Sequence, residues 1–486
     1  MTTEHHLILG GRHVPAADGR TTTDTDPYTG AEFARVAAAS PVDVTLAVDA
    51  AADAFAGWSA TGPTERRRIL NRAADLLEQR AEEAVTLMAA ETGGVRGWAL
   101  FNVGLAASML REAAALTTTP VGEVLATDTP GALAVGIRRP AGVVAAFAPW
   151  NAPVILGTRA VAAPLAAGNT VVVKASENAP VSGALFIASV LMEAGAPPGV
   201  VNVITNDPAD AGVIAETLIG DNRVRRVNFT GSTATGRRIA ALAAARLIPA
   251  VLELGGKNAL IVLADADVEY AANAVAFGAY LNSGQICMSA DRVLVDAAIA
   301  PEFTELLARK AKGLAHGDPR EAHTVVGPLI DAASAERVAD LVDEALGEGA
   351  HLAAGGGRPE GAVYPATVLT GVRPDMRVHT EEIFGPVCTV LSVDGPDEAV
   401  AVANDSPYGL TAGILTEDQR LGWELAGRLD TGIVHVNDQS VDDEAQAPFG
   451  GVKDSGHGRF GGRAGIEAFT DLRWITLAGR HRRFPF

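Results

Sequence analysis

Cysteine is nearly absent from this 486-residue chain, which contains only Cys287 and Cys388. That excludes a disulfide framework and any cysteine cluster with zinc-ligand spacing, and it suits a reducing cytoplasm in which the thiols stay free for chemistry. Basic residues are also scarce, 39 Lys and Arg against 58 Asp and Glu, giving a formal net charge of -19. Nucleic acid and anionic membrane surfaces are thereby disfavoured as partners, since both are held by clustered cations. Long apolar runs are missing too. The most apolar region, Val143 to Ala175, is interrupted by Pro149, Asn151, Pro153, Arg159 and Pro164, which a lipid-facing span of about 20 residues does not tolerate. The opening MTTEHHLILG has no basic segment and too short an apolar run for a signal peptide, so it reads as mature sequence. Aromatic residues make up 5% of the chain, a value that says nothing about its ligand.

What is present is a globular composition, 48% hydrophobic and 20% charged. Single cores stop growing at roughly 250–300 residues, so two or three packed domains are expected. Neither repeats nor low-complexity linkers divide them. After a short β segment the first third reads as helix: Ser40-Pro41-Val42-Asp43 supplies an N-cap, a first-turn proline and an acidic third position. One amphipathic helix is expected from Glu65 to Glu91, with Ile69, Ala73, Leu76 and Leu77 on one face and Gly93-Gly94 as the stop. Near Val121 to Arg139, Pro120 and Pro130 break the helical pattern and suggest a protruding hairpin.

From Gly142 the rhythm changes. GVVAAFAP, TVVVKA, VVNVIT, RRVNFT, AVLEL and ALIVL are short Val-rich runs separated by helical stretches. Strands apolar on both faces and alternating with helices indicate a parallel sheet covered on both sides, a Rossmann-like α/β architecture whose switch-point crevice holds a nucleotide. A second α/β region starts near Gly255. The C-terminal LRWITLAG is a β-like segment with nothing local to pair with, so it and the hairpin are expected to pair between subunits.

Several strand ends carry chemistry. Gly284-Gln285-Ile286-Cys287-Met288-Ser289 puts a thiol in a loop of small residues between a helix and a strand, where backbone N–H groups stabilise a thiolate. A lone cysteine is more often a buried small hydrophobe, a description that suits Cys388 in Gly385-Pro386-Val387-Cys388. Val251-Leu252-Glu253-Leu254-Gly255-Gly256 ends an apolar strand on a carboxylate; poor solvation there raises its pKa and suits a general base, unless nearby amides satisfy it. Phe147-Ala148-Pro149-Trp150-Asn151 ends a strand on a side-chain amide, either a turn residue or an oxyanion donor. Phe229-Thr230-Gly231-Ser232-Thr233-Ala234-Thr235-Gly236 passes from strand to helix and offers N–H groups to a pyrophosphate, although G-x-G-x-x-G is absent. Lys174-Ala175-Ser176-Glu177 adds a cation and an acid at another strand end, where a carboxylate binds ribose hydroxyls and repels a 2′-phosphate.

Taken together and in this order, these motifs resemble the aldehyde dehydrogenase superfamily over essentially the whole chain. The resemblance implies a Rossmann-like NAD-binding domain (1–120 and 140–253), an α/β catalytic domain (254–446) and a small β oligomerisation element with a C-terminal tail (121–139 and 447–486). It places the catalytic cysteine at Cys287, the general base at Glu253 and the oxyanion amide at Asn151. NAD is implied as cofactor. Lys174 and Glu177 match its adenosine-ribose side, Gly231 and Ser232 its pyrophosphate turn, and Glu382 and Phe384 its nicotinamide-ribose side, with Ala148, Pro149, Trp150, Gly236 and Leu254 along the same site. No metal is implied.

Within the superfamily, NAPVILGTRAVAAPLAAGNTVVVKASE, VNDQSVDDEAQAPFGGVKDSG and GRFGG with FTDLRWIT look like the salicylaldehyde, vanillin and benzaldehyde dehydrogenase group. Arg159, aligned with a pocket arginine in that group, and Trp98, Phe101, Ile286, Met288 and Phe449 are the candidate substrate pocket; plain core packing is the competing role for each. The implied protein is a cytoplasmic homodimer or homotetramer acting on a small aldehyde. Two other classes are weighed. A dehydrogenase passing its acyl group to coenzyme A usually lacks the glutamate found at 253, and a non-catalytic protein on this fold has no need of Cys287, Glu253 and Asn151 together.

Overall fold

Val-rich runs that are apolar on both faces build two sheets, and the crevice between them follows from the strand order. The computed structural model describes residues 3–119, 121–479, 481 and 484–486, so Pro120 lies outside the described residues. Five parallel strands of the first sheet run in the order Ala250–Glu253, Val224–Thr230, Val143–Phe147, Thr170–Lys174, Val201–Ile204. Leu7–Leu9 and Arg12–Val14 extend one edge antiparallel. From Val143–Phe147 the chain moves outward to Val201–Ile204, then returns to lay Val224–Thr230 on the other side of its starting strand. The carboxyl ends of these two neighbours therefore form the switch point, and they deliver residues 148–151 and 231–232 to it.

Alternation along the strands splits the packing. Val144, Ala146, Val171 and Val173 join one core, whereas Val143, Ala145, Phe147 and Val172 join the other. Each fully buried Val, Leu or Ile contributes roughly 1.5–3 kcal/mol, so both faces need a helical cover. The predicted helix start at Ser40 is present: the Asp43 carboxylate accepts from the Ser40 N–H at 2.8 Å and the helix runs Pro41–Ala60. The single helix expected from Glu65 to Glu91 is two, Pro63–Gln79 and Ala81–Glu91. Arg80 leaves helical geometry between them (φ -98, ψ 22). Its guanidinium bonds Glu83 and Ser189 and lies 4.8 Å from the Phe186 ring, which pins the corner to the next layer. The helix Arg96–Leu116 is long and apolar enough to cross a bilayer by length and composition, yet it packs against Pro63–Gln79 and Pro153–Ala166 and buries Trp98, Val103, Met109 and Leu110.

The second sheet has seven strands in the order His351–Ala354, Thr367–Thr370, Val387–Val393, Ala290–Asp296, Asn258–Val262, Thr411–Leu415, Ile433–Val436, all parallel except the first. Cys388 sits inside it, fully buried with its sulfur 3.4 Å from the Tyr280 hydroxyl.

The expectation that the hairpin and the C-terminal strand pair between subunits is corrected. Gly122–Leu125 and Leu133–Pro140 form the hairpin, and Thr470–Leu477 pairs antiparallel with Leu133–Pro140 along eight residues of the same chain. Each segment supplies the edge that the other lacks, across 330 residues or more, from Thr470 opposite Pro140 to Leu477 opposite Leu133. The tail boundary changes too. Gly456–His457 pairs with Leu252 and Glu253 and closes the first sheet, so this part of the tail packs with the site, whereas Arg463, Ile466 and Glu467 lie against the hairpin, Glu467 paired with Arg138 at 3.4 Å.

Candidate active site

The thiol is presented by a backbone that only a tightly packed loop tolerates. After the helix Val268–Tyr280, Asn282, Ser283 and Gly284 take φ of 49, 56 and 71 in succession, an unfavourable left-handed run for two residues with side chains. Surrounding bonds hold it. Ser283 Oγ donates to Gly327 O, Gln285 Oε1 accepts from Ile330 N, and Ser289 Oγ donates to Gly284 O. A Cβ on Gly284 would stand 2.0 Å from Gly385 O, so glycine is required there. Cys287 emerges half-buried just before the strand Ala290–Asp296.

A cleft of about 300 Å³ brings Cys287 together with Pro149, Trp150, Asn151, Gly231, Ser232, Glu253, Leu254, Glu382 and Phe384. Asn151 Nδ2 donates one hydrogen to Gln285 O at 2.9 Å, and an amide has a second to offer. The backbone carbonyl of Asn151 is fixed by Trp98 Nε1 and Asn282 Nδ2. Burial pushes the Cys287 thiol up to about 12, with the Glu382, Glu253 and Asp443 carboxylates acting in the same direction and Arg159 opposing. A thiol in that state needs a proton acceptor before it attacks.

Glu253 is 3% exposed, and among the described residues neither of its oxygens makes a hydrogen bond of full geometry; the Gly451 N–H faces it and lowers its proton affinity slightly. The alternative of a carboxylate satisfied by nearby amides is therefore not what the structure has. Loss of solvation holds its pKa well above the ordinary carboxylate value, with Arg159 and Arg459 pulling down and Asp443 pushing up. Glu382 accepts from the Gly256 N–H at 3.0 Å; burial lifts its carboxyl to about 7, and that bond partly offsets the lift. A Cβ on Gly255 would lie 2.5 Å from Glu382 Oε2, so the glycine pair after Glu253 lets the two carboxylate-bearing segments close up.

The remaining expected residues surround this cleft or lie beyond it. Ser232 caps the helix Thr233–Ala245, its oxygen accepting from Thr235 N. Gly236 makes room for Leu254, which a Cβ there would approach to 2.3 Å. Lys174 and Glu177 lie one strand away, paired with each other, and Asn206 Nδ2 donates to Glu177 at 2.9 Å. Ala148 ends its strand with its N–H on Lys174 O. Among the pocket candidates, Ile286 and Met288 are buried and Phe101 is exposed, stacked on Trp98 at 5.6 Å. Arg159 and Phe449 line a small cavity with Asp443, Arg159 being ion-paired to that carboxylate.

Some contributors were not singled out in the sequence. Arg337 reaches the cleft and donates to Ile383 O at 2.6 Å. Asn258 Nδ2 donates to Cys287 O and Ser289 O, tying the glycine segment to the nucleophile loop. The run Asp442-Asp443-Glu444 beside an apolar PFGG was the available signal for Asp443.

The cleft fits a dinucleotide on its own evidence: it lies at the switch point, a capped helix begins in it, and glycines admit close backbone approach. The aldehyde dehydrogenase family model matches residues 13–475. A vanillin dehydrogenase of Pseudomonas fluorescens is 52% identical over 479 residues, covering 99% of both chains, and a salicylaldehyde dehydrogenase of Pseudomonas putida is 41% identical over 481 residues, again 99% of both. The crystal structure of the salicylaldehyde dehydrogenase from Pseudomonas putida G7 complexed with salicylaldehyde superposes with a TM-score of 0.97 at 41% identity, covering 100% of both chains. The chain belongs to the aldehyde dehydrogenase family and is an aldehyde dehydrogenase of the kind that uses NAD(P).

Proposed function

We propose that this enzyme oxidises an aromatic aldehyde to its carboxylic acid with NAD through a thioester on Cys287. The observation that carries the reading is the convergence of a thiol, an unpaired buried carboxylate and an amide with a spare N–H in one cleft. Cys287 attacks the aldehyde carbon, and the Asn151 amide stabilises the resulting oxyanion, a donor worth roughly 2.7–4 kcal/mol. Trp150, Gly231, Ser232, Leu254, Glu382 and Phe384 would hold NAD, with Lys174 and Glu177 toward its adenosine end, and NAD bound there would supply the acceptor for the hydride that collapse of this oxyanion releases. Glu253 then takes a proton from water, whose oxygen forms the new bond to the acyl carbon as the carbon–sulfur bond breaks. A positioned base contributes about 10²–10⁴-fold.

The aromatic assignment is supported by relatives named for vanillin, salicylaldehyde and benzaldehyde. NADH formation across substituted benzaldehydes and straight-chain aldehydes, with and without coenzyme A, tests it. Higher kcat/KM on benzaldehydes without coenzyme A is expected; a preference for straight-chain aldehydes, or a need for coenzyme A, overturns it.

NAD is proposed over NADP because Glu177 stands at the strand end where ribose hydroxyls bind. Repulsion between a carboxylate and a 2′-phosphate at an effective dielectric of about 20 amounts to a few kcal/mol at contact, so kcat/KM favours NAD by roughly tenfold or more. A preference for NADP in the unmodified enzyme sinks this assignment.

A homodimer or homotetramer is proposed from the three-stranded sheet, which leaves Val124, Leu472, Trp474 and Leu477 exposed, and clustered exposed apolar side chains mark contact surfaces; the mass in solution reads the state. The two free thiols are consistent with a cytoplasmic setting.

A further inference from the structure

Glu253 is a buried carboxylate flanked by two guanidinium groups, Arg159 and Arg459, and bonded to neither. Buried carboxylates ordinarily take a cation or several donors, because an unpaired charge in a low-dielectric interior is costly. Here both cations are engaged elsewhere. Arg459 Nη1 donates to the carbonyls of Gly451 and Gly458 at 2.8 and 2.6 Å. Arg159 donates to Asp443, each side chain being 6% exposed, and its guanidinium carbon lies 4.1 Å from the Phe449 ring centroid.

One short stretch organises this arrangement. Asp443 holds Arg159, Phe449 is the surface Arg159 stacks on, and Gly450 is where the base rests: a Cβ there would stand 2.6 Å from Glu253 Oε1 and 2.8 Å from Arg459 Cδ. Paired backbone bonds between Phe449 and Phe460, at 3.0 and 2.9 Å, fix the stretch in place.

We infer that Asp443 is a positioning residue that keeps Arg159 from pairing with Glu253, and so leaves the base free to take a proton from water. The inference rests on the reading of Glu253 as the deacylating base. A guanidinium forms strong, geometrically fixed bonds to a carboxylate. Were Glu253 its partner, each turnover would have to break that bond, and the carboxylate would hold protons less well. Asp443 takes the cation instead. The titratable and charged groups that face Glu253 are Arg159 from the helix Pro153–Ala166, Asp443 and Arg459 from the returning C-terminal segment, and Cys287 and Glu382 in the cleft; Arg159 and Arg459 lower its proton affinity and Asp443 raises it.

Asp443→Asn, mixed with NAD and benzaldehyde, is expected to give an NADH burst near one equivalent per site. A steady rate at least about tenfold below the parent enzyme follows, within the range a positioned base supplies. The acid limb of kcat moves to lower pH. Adding Arg159→Met to that variant removes the competing cation and recovers the steady rate at least about tenfold, within that same range; a merely structural defect does not recover. Absence of a burst in a folded Asp443→Asn enzyme, or a burst that Arg159→Met fails to relieve, overturns the inference. Should Asp443→Asn not fold, Arg159→Met alone decides: the acid limb of its kcat profile moves to higher pH, and an unmoved limb overturns the inference. Glu253→Gln measured in parallel separates the two levels. If it shows neither burst nor acyl adduct at any pH, the reading of Glu253 fails; if it bursts and Asp443→Asn does not, only the role of Asp443 fails.

Discussion

Replacing Cys287 with Ala is expected to abolish aldehyde oxidation and to leave NAD binding in place. In the proposed mechanism the thiol forms the bond to the aldehyde carbon, and Cys287 carries the one thiol among the cleft-lining residues, so the expected loss is on the order of 10⁴–10⁶ in kcat/KM, as for removal of a covalent nucleophile elsewhere. Cys388→Ala is the matched control. Its thiol is fully buried between sheet and helix, burial pushes its pKa up to about 12, and its neighbour is the Tyr280 hydroxyl. Loss of that sulfur leaves a small cavity and costs about 1 kcal/mol of stability with most activity retained. Steady-state NADH formation and NAD titration monitored by tryptophan fluorescence distinguish the two. An inactive Cys388→Ala enzyme beside an active Cys287→Ala enzyme would reverse the assignment of the nucleophile.

The sequence disclosed the site where the chemistry is local and hid it where partners are distant. Cys287, Glu253 and Asn151 each end or follow an element whose apolar run is visible in a few residues, so motif and strand end coincide. Their convergence rests on strand order, and alternating strands and helices are enough to imply a parallel sheet with a switch point. The pairing of Thr470–Leu477 with Leu133–Pro140 has no local signature: each reads as a strand without a neighbour, and pairing between subunits satisfies that pattern equally well. Arg159 illustrates the same limit within the site. Its partner lies 284 residues away, so the sequence offered only the resemblance to a pocket arginine, with core packing as the competing role, and no sign that Asp443 pairs with its charge and Phe449 lies against its face. The split at Arg80 has no sequence signature, because an unbroken amphipathic period does not record where a helix must turn a corner.

Glu253→Gln separates hydride release from hydrolysis. The substitution keeps shape and removes the proton acceptor, so Cys287 is still acylated while the thioester has no base to activate water. NAD and benzaldehyde should give a burst of NADH approaching one equivalent per site, then a slow phase reduced by about 10²–10⁴-fold, with an acyl adduct on Cys287 in the intact mass. In the parent enzyme the same carboxylate has to be ionised to act, and burial holds its pKa well above the ordinary range; kcat therefore falls as pH drops through that raised value. Stability has the opposite sign. A carboxyl with a raised folded pKa binds its proton more tightly folded than unfolded, so above the unfolded value of about 4.3 its buried charge lowers stability as pH rises. The Gln variant is relieved of that charge and should melt no lower than the parent at neutral and alkaline pH. If Glu253 also takes the proton from Cys287, whose thiol is itself pushed up to about 12, the burst disappears near neutrality and returns as hydroxide substitutes for the missing base. A folded variant that binds NAD and gives neither burst nor adduct at any pH would remove Glu253 from deacylation.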